Sequence, residues 1–216
     1  MISRFKDVQI KQLKLRLVIL GFGLVLVSFG VAVFSRAALG FDPFMIFASG
    51  VSQKWGLSLG ITHILINLTL ALIYVIIGKK NYINIGTILA MTVTGPLIDA
   101  FSRLNQLLLP GDIDFAVRLV LVLAACPLMG LGVHLYTGVR LGAGPNDLVA
   151  VILSDVTKKP FGIIRVLVDG SWTVAGVLLG GSIGIGTVVA LLVIGFSIQL
   201  WKRLKLFAKY MPVNAE

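Results

Sequence analysis

The chain has 216 residues, of which 57% are apolar and only 13% are charged, and its mean hydropathy is +1.00. Soluble domains carry about 25% charged residues, so this composition excludes an ordinary soluble or disordered protein. The net charge of +10 is typical of membrane proteins, in which Lys and Arg accumulate in cytoplasmic loops. We expect a lipid bilayer as partner and no nucleic acid, because no basic stripe interleaves with aromatic residues.

The first apolar run covers residues 17–35 and follows a basic N-terminal segment. A basic segment before an apolar run resembles a signal peptide, but these 19 residues without a charge exceed a typical signal h-region. A spanning helix needs about 20 apolar residues. We therefore predict a retained transmembrane helix here.

The second half of the chain repeats the first. Residues 16–78 align without a gap with residues 118–180, and sixteen of these 63 positions are identical. Residues 85–104 align with 185–204, with nine of 20 positions identical. The matches include glycines and prolines, which a shared apolar composition would not bring into register.

These matches predict an all-α membrane protein. We expect one integral membrane domain, residues 1–216, with two internal repeats at 15–108 and 117–206. Each repeat holds four helical pieces, of which the first, third and fourth are long enough to span. The second piece, residues 43–54 or 145–156, is short, which suits a re-entrant or interfacial helix.

Two topologies follow from the number of spans in each repeat. Three spans invert the second repeat relative to the first, whereas four make the repeats parallel. The six-span arrangement places Lys79, Lys80, Arg140, Lys158 and Lys159 in the cytoplasm, and the eight-span arrangement exposes the first three outside. The positive-inside rule favours the inverted, six-span arrangement. Both arrangements place both termini in the cytoplasm.

The short helices begin with recognisable caps. Asp42 is a good N-cap and precedes Pro43, which is favoured at the first helical position. Gly144 takes the cap position in the second repeat, with Asn146 and Asp147 in the first turn. One interpretation is a broken helix whose N-terminus faces a site near the membrane midplane. The alternative is a capped interfacial helix after an ordinary loop.

The third helix of each repeat carries polar groups inside an apolar segment. His63 aligns with Arg165, and Asn67 aligns with Asp169. Each pair is spaced i, i+4 and shares a helix face. Ionisable residues in membrane spans usually face the bundle interior or a cavity, and in an inverted repeat the two faces can meet where transporters bind substrates. The alternative is an ion pair and hydrogen bonds that hold helices together.

The composition gives no support for catalysis or a metal site. The chain has two histidines, one cysteine and no dense acidic cluster, so we expect no metal. It has neither a phosphate-binding loop nor a G-x-S-x-G elbow. We expect no cofactor and no enzymatic activity.

Several motifs resemble a known family. LGFDP at residues 39–43, LGAGPND at 141–147 and IGT at 85–87 and 185–187 resemble the bacterial YczE/YyaS/YitT family of multi-pass membrane proteins, and YczE-type members above all. The resemblance implies a location in the bacterial cytoplasmic membrane. It implies no activity, so no functional residue is carried over from it.

Two hypotheses for function follow. The first is a small secondary transporter or channel-like permease for a small molecule or ion. Its candidate substrate-binding residues are Asp42, His63, Asn67, Asn146, Asp147, Arg165 and Asp169. The second is a non-transporting accessory or regulatory membrane protein for a partner system. A protein partner or a second copy of the chain is compatible with both.

Overall fold

The computed structural model describes residues 2–109, 111–159 and 161–204. Within these ranges the protein is entirely helical, as predicted, with no strand and one short 3₁₀ turn at Lys80–Tyr82. The eight helices are α1 (Ile2–Ala37), α2 (Pro43–Trp55), α3 (Leu59–Ile76), α4 (Ile85–Leu108), α5 (Phe115–Gly138), α6 (Pro145–Thr157), α7 (Phe161–Leu178) and α8 (Ile185–Arg203).

Four helices in the described part of the chain are long and apolar enough to cross a bilayer. They are Gln12–Ala37 within α1, and α3, α4 and α5. Shorter apolar segments occur in α7 and α8, at Val166–Leu178 and Ile185–Ile198. Large apolar side chains such as Leu72 and Leu192 are exposed on the outer faces, as a lipid-facing surface requires.

Helix α1 is longer than the apolar run that predicted it. The run covers residues 17–35, but the helix begins at Ile2. Hydropathy alone does not show this extension, because the preceding residues are polar. They include Lys, Gln, Leu and Arg, which are good helix formers, so the backbone continues as a helix beyond the apolar segment.

Helices α1 and α5 form the centre of the bundle and run antiparallel. A Cβ atom added at Gly23 would come within 2.8 Å of the carbonyl oxygen of Gly132. Further along α1, a Cβ added at Gly30 would meet the Met129 side chain and the Ala125 carbonyl. The residue numbers of the contacting positions therefore increase along α1 and decrease along α5, as in an antiparallel pair. Small residues allow this close backbone approach, which is common in membrane helix pairs.

Helix α4 runs parallel to α1. The Ser28 hydroxyl lies 3.4 Å from the carbonyl oxygen of Thr94. At the end of α1, the Arg36 guanidinium donates to the carbonyl oxygens of Leu109 and Gly111, both at 2.5 Å. The residue numbers of the contacting positions thus increase together along α1 and α4, as in a parallel pair. Arg36 satisfies carbonyl groups at the end of α4, which hold no intrahelical bond.

Each half of the chain fixes a loop of the other half. The N–H of Gly86, at the start of α4, donates to the carbonyl of Leu141 at 2.8 Å. The N–H of Gly186, at the start of α8, donates to the carbonyl of Leu39 at 2.7 Å. The loops that precede α6 and α2 are therefore held by α4 and α8.

Glycine is required at the same place in both loops. Gly40 has φ +107° and Gly142 has φ +119°, a region that other residues rarely adopt. A Cβ atom at Gly40 would also lie 2.5 Å from Oγ1 of Thr187, and one at Gly142 would lie 2.7 Å from Oγ1 of Thr87. This close approach explains why Leu-Gly and Ile-Gly-Thr both occur twice in the sequence.

The predicted caps of the short helices are confirmed. Asp42 precedes α2, and its carboxylate accepts the Met45 N–H at 3.2 Å. Gly144 takes the N-cap position of α6. Pro43 and Pro145 occupy the first turn of their helices, where the missing N–H costs no hydrogen bond.

Candidate functional site

The first turn of α6 lies beside the middle of α3. Asn67 is the ninth of the 18 residues of α3 and is fully buried. Its Oδ1 accepts the N–H of Asn146 at 3.1 Å, and its Nδ2 donates to the carbonyl of His63 at 2.9 Å. A single amide thus joins α3 to one of the N–H groups that a helix start leaves unsatisfied.

From this point α6 runs towards the loop that follows α3. The Tyr74 hydroxyl donates to the carbonyl of Pro145 at 2.6 Å. Near the other end of α6, the carboxylate of Asp155 accepts the hydroxyl of Tyr82 at 2.6 Å. The helix therefore begins inside the bundle and ends beside the 3₁₀ turn between α3 and α4.

Asp147 and a tyrosine from α5 form the charged part of this region. The Tyr136 hydroxyl donates to Oδ2 of Asp147. Tyr136 is buried and Asp147 is half-buried. A negative charge is favourable in the first turn of a helix, so both the helix dipole and the hydroxyl stabilise the carboxylate.

His63 completes the region from the α3 side. Its ring is buried and lies edge-on to the ring of Phe44, with centroids 5.6 Å apart. The Asn67 Nδ2 lies 3.3 Å from Nδ1 of His63. We call this group the α6 cluster. Its members are His63, Asn67, Tyr74, Tyr136, Asn146 and Asp147.

The remaining candidate residues lie elsewhere. Asp42 caps α2 in the other half of the bundle. Asp169 lies in α7 and is half-buried, and its carbonyl accepts the Thr173 hydroxyl at 2.9 Å. The backbone of Arg165 belongs to α7, but its side chain lies outside the described residues. Its pairing with Asp169 stays a prediction.

Helix α2 lies between the polar faces of α3 and α7. The Phe44 ring contacts His63 on one side and Trp172 on the other, with centroid distances of 5.6 Å and 5.7 Å. Trp172 lies one turn beyond Asp169 on α7. The structure thus connects the two faces through an aromatic side chain.

The sequence did not indicate the two tyrosines of the α6 cluster. In the repeat alignment Tyr74 pairs with Gly176, and Tyr136 pairs with Phe34, so the comparison of repeats gave no signal. A usable signal was the residue type, because a buried tyrosine hydroxyl needs a hydrogen-bond partner. Within the described residues, no three His, Cys, Asp or Glu side chains are close enough to hold a metal ion.

The comparisons with known proteins agree with the motifs. Residues 14–203 match a family of unknown function, DUF6198. The chain belongs to this family. It is 30% identical over 188 residues to the uncharacterized protein YyaS of Bacillus subtilis, covering 84% of this chain and 89% of YyaS. It is 27% identical over 178 residues to the uncharacterized membrane protein YczE of the same organism, covering 82% and 80% of the two chains.

A third relative comes from another bacterium. An uncharacterized protein of Haemophilus influenzae is 25% identical over 210 residues, which are 97% of this chain and 89% of the relative. No solved structure matches the chain. The predicted resemblance to YczE and YyaS is confirmed. Together with the four apolar helices, the membrane relative identifies this member of the DUF6198 family as an integral membrane protein.

Proposed function

We propose that this DUF6198 member is a small permease that moves a polar solute together with protons through the α6 cluster. The observation that carries the proposal is the position of Asp147. Its carboxylate lies at the N-terminus of a short helix that begins beside the middle of α3, and Tyr136 donates to it. Ionisable groups among membrane spans are costly and commonly belong to ion or proton pathways.

The chemistry of the cluster fits proton coupling. A carboxylate, a phenol and an imidazole can each hold a proton, and His63, Tyr136 and Asp147 are supplied by three different helices. A movement of α6 relative to α3 would change the partners of Asp147 and therefore its affinity for a proton. Broken helices of this type bind substrates and coupling ions in several transporter folds. The cluster requires no catalytic step.

We further propose that the halves are inverted repeats with six spans in total. Antiparallel α1 and α5 support this, because four spans in each repeat would make them parallel. The hydrogen bond between Tyr82 and Asp155 also supports it. That bond draws Lys79 and Lys158, which follow α3 and α6, towards the same side of the bundle. The eight-span arrangement would separate them by the membrane.

The charge distribution orients this architecture. Lys79, Lys80, Lys158 and Lys159 lie on the side from which α1 enters the bundle. The positive-inside rule makes that side cytoplasmic. We therefore propose that the protein lies in the bacterial cytoplasmic membrane with both termini in the cytoplasm.

A proton-uptake assay tests the permease. The purified protein is placed in vesicles that enclose a pH-sensitive dye, and amino acids, organic acids, polyols and amines are added singly outside. We expect one of these classes to acidify the lumen with the wild-type protein. Asp147→Asn should slow this acidification by about a hundredfold, the scale of a lost proton-transfer group.

Asp155→Asn is the matched control, because Asp155 lies on the same helix but bonds to Tyr82 at its outer end. This variant should retain the wild-type rate. Two results would count against the proposal: no solute acidifying wild-type vesicles, or an Asp147→Asn variant as fast as wild type. Either would favour the accessory role instead.

A further inference from the structure

A polar cavity opens at the end of the bundle opposite the α6 cluster, between α1, α3 and α4. It consists of two adjoining spaces of about 240 and 350 Å³ that share Ser35, Ser102 and Gln106. The other polar residues of its wall are Arg36, Ser58, Asp99 and Arg103. These seven polar side chains can form hydrogen bonds with water or with a polar solute that enters the space.

Two polar side chains near the end of α4 lack hydrogen-bond partners among the described residues. The buried Oγ of Ser102 and the Nδ2 of Asn105 form no hydrogen bond with any described residue. Asn105 is 5% exposed and lies one turn beyond Ser102 on the same helix face. Buried polar groups in native proteins are nearly always paired with protein, water or ligand. Ser102 lines both spaces, so its hydroxyl is available to a molecule in the cavity.

The wall carries charges of both signs. The Asp99 carboxylate accepts the Gly60 N–H at 2.9 Å and the Ser58 hydroxyl at 2.5 Å. A carboxylate has about four acceptor sites, so it can also receive an ammonium group. Arg103 follows one turn later on α4 and is exposed. Its guanidinium can bind a carboxylate through two parallel hydrogen bonds.

We propose that this polar cavity binds a small zwitterionic solute of amino-acid size, with its ammonium group towards Asp99 and its carboxylate towards Arg103. The two spaces, of about 240 and 350 Å³, are near the lower limit for ligand pockets, about 300 Å³, which suits a small solute. As a statement about the transported substrate, the inference rests on the proposed permease function. As a statement about binding, it stands alone.

Helix α3 connects the polar cavity to the α6 cluster. Leu59 lines the cavity, and His63 and Asn67 follow at intervals of four residues on the same face. Thr62, next to His63, is fully buried, and its Oγ1 has no partner among the described residues. One face of α3 therefore carries polar groups from the cavity to Asp147 and its neighbours.

A binding assay tests the inference without requiring transport. Each proteinogenic amino acid is added singly at millimolar concentration to the purified protein, and the thermal midpoint is measured. We expect at least one to raise the midpoint, whereas its amide and its deaminated analogue do not. Arg103→Gln should weaken that binding about tenfold, as expected for the loss of one charge-assisted contact.

Arg203→Gln is the matched control, since Arg203 is exposed on α8 and lies outside the cavity wall. It should leave the affinity unchanged, and Ser102→Leu should abolish binding by filling the space. The inference is overturned if no amino acid stabilises the wild type, or if Arg103→Gln binds as tightly. Binding in this assay does not depend on transport, so a solute that binds to the wild-type protein but is not taken up would refute the permease and leave this inference intact.

Discussion

Asn67 joins α3 to the first turn of α6 through its side-chain amide. Its amide bonds the His63 carbonyl and the Asn146 N–H while it is fully buried. Asn67→Leu keeps the branched shape of the side chain but leaves that N–H without an acceptor. We expect a loss of about 1–3 kcal/mol in the free energy of unfolding, measured as a lower thermal midpoint in detergent.

Thr69→Ala serves as the control for this change. Thr69 is an exposed residue of the same helix, and its hydroxyl bonds only to the carbonyl of Leu65 within that helix. Its replacement should alter stability by less than about 0.5 kcal/mol. Equal midpoints for Asn67→Leu and Thr69→Ala would show that the α3–α6 contact does not stabilise the protein.

The two tyrosines of the α6 cluster allow a comparison of matched variants. Tyr136 donates to the carboxylate of Asp147, whereas Tyr74 donates to the carbonyl of Pro145. Tyr136→Phe removes a hydrogen bond to a charged group, worth about 1.5–3 kcal/mol, and should slow solute-driven proton uptake about tenfold or more. Tyr74→Phe should slow it less. Identical rates in the two variants would contradict a role for the Asp147–Tyr136 pair.

The residues that cap the short helices could be predicted from the sequence. Asp42 and Gly144 as caps, with Pro43 and Pro145 after them, follow from rules that concern a few neighbouring residues. The hydrogen bond from the Asn146 N–H to Asn67 was not predictable, because it depends on where α6 lies in space. The i, i+4 spacing showed only that His63 and Asn67 share a face.

At the level of the helices, α2 and α7 join the two halves through a close approach of their backbones. A Cβ atom added at Gly176 would lie 2.5 Å from the backbone nitrogen of Phe47, which cannot move without shifting α2. We expect Gly176→Ala to destabilise the protein by about 1–3 kcal/mol, the usual cost of overpacking. The thermal midpoint of the purified variant measures this effect.

Gly170 of the same helix provides the comparison, because a Cβ atom there would meet nothing within 4 Å. Gly170→Ala should keep or raise the stability by about 0.5–1 kcal/mol, since alanine is the better helix former. A destabilisation of equal size in both variants would contradict the role of close packing at Gly176.

The positions at which the helices begin and end were easier to predict than the helices against which they pack. The short helices were expected at residues 43–54 and 145–156 and occur at Pro43–Trp55 and Pro145–Thr157, because caps and turns mark their ends. That α2 packs against α7 of the other half has no local signal. Gly176 is only a weak signal for this contact, since glycines that allow close packing also occur elsewhere in membrane helices.

At the scale of the whole molecule, the halves hold each other through equivalent contacts. The start of α4 binds the loop before α6, and the start of α8 binds the loop before α2. The aligned sequences indicated that these segments are related, but not that each would contact the other half. Such an exchange places both short helices at the interface between the halves. In the proposed permease, a movement of one half against the other would open one side at a time.

The inverted, six-span arrangement can be measured directly by cysteine labelling in intact cells. Cys126 is buried and is first replaced by alanine. Single cysteines are then introduced at Lys54, Lys79, Asp112 and Lys158. A membrane-impermeant maleimide should label positions 54 and 112 from outside, and positions 79 and 158 only after the cells are permeabilised. Labelling of position 79 from outside with protection of position 54 would contradict the inverted halves and the site proposed between them.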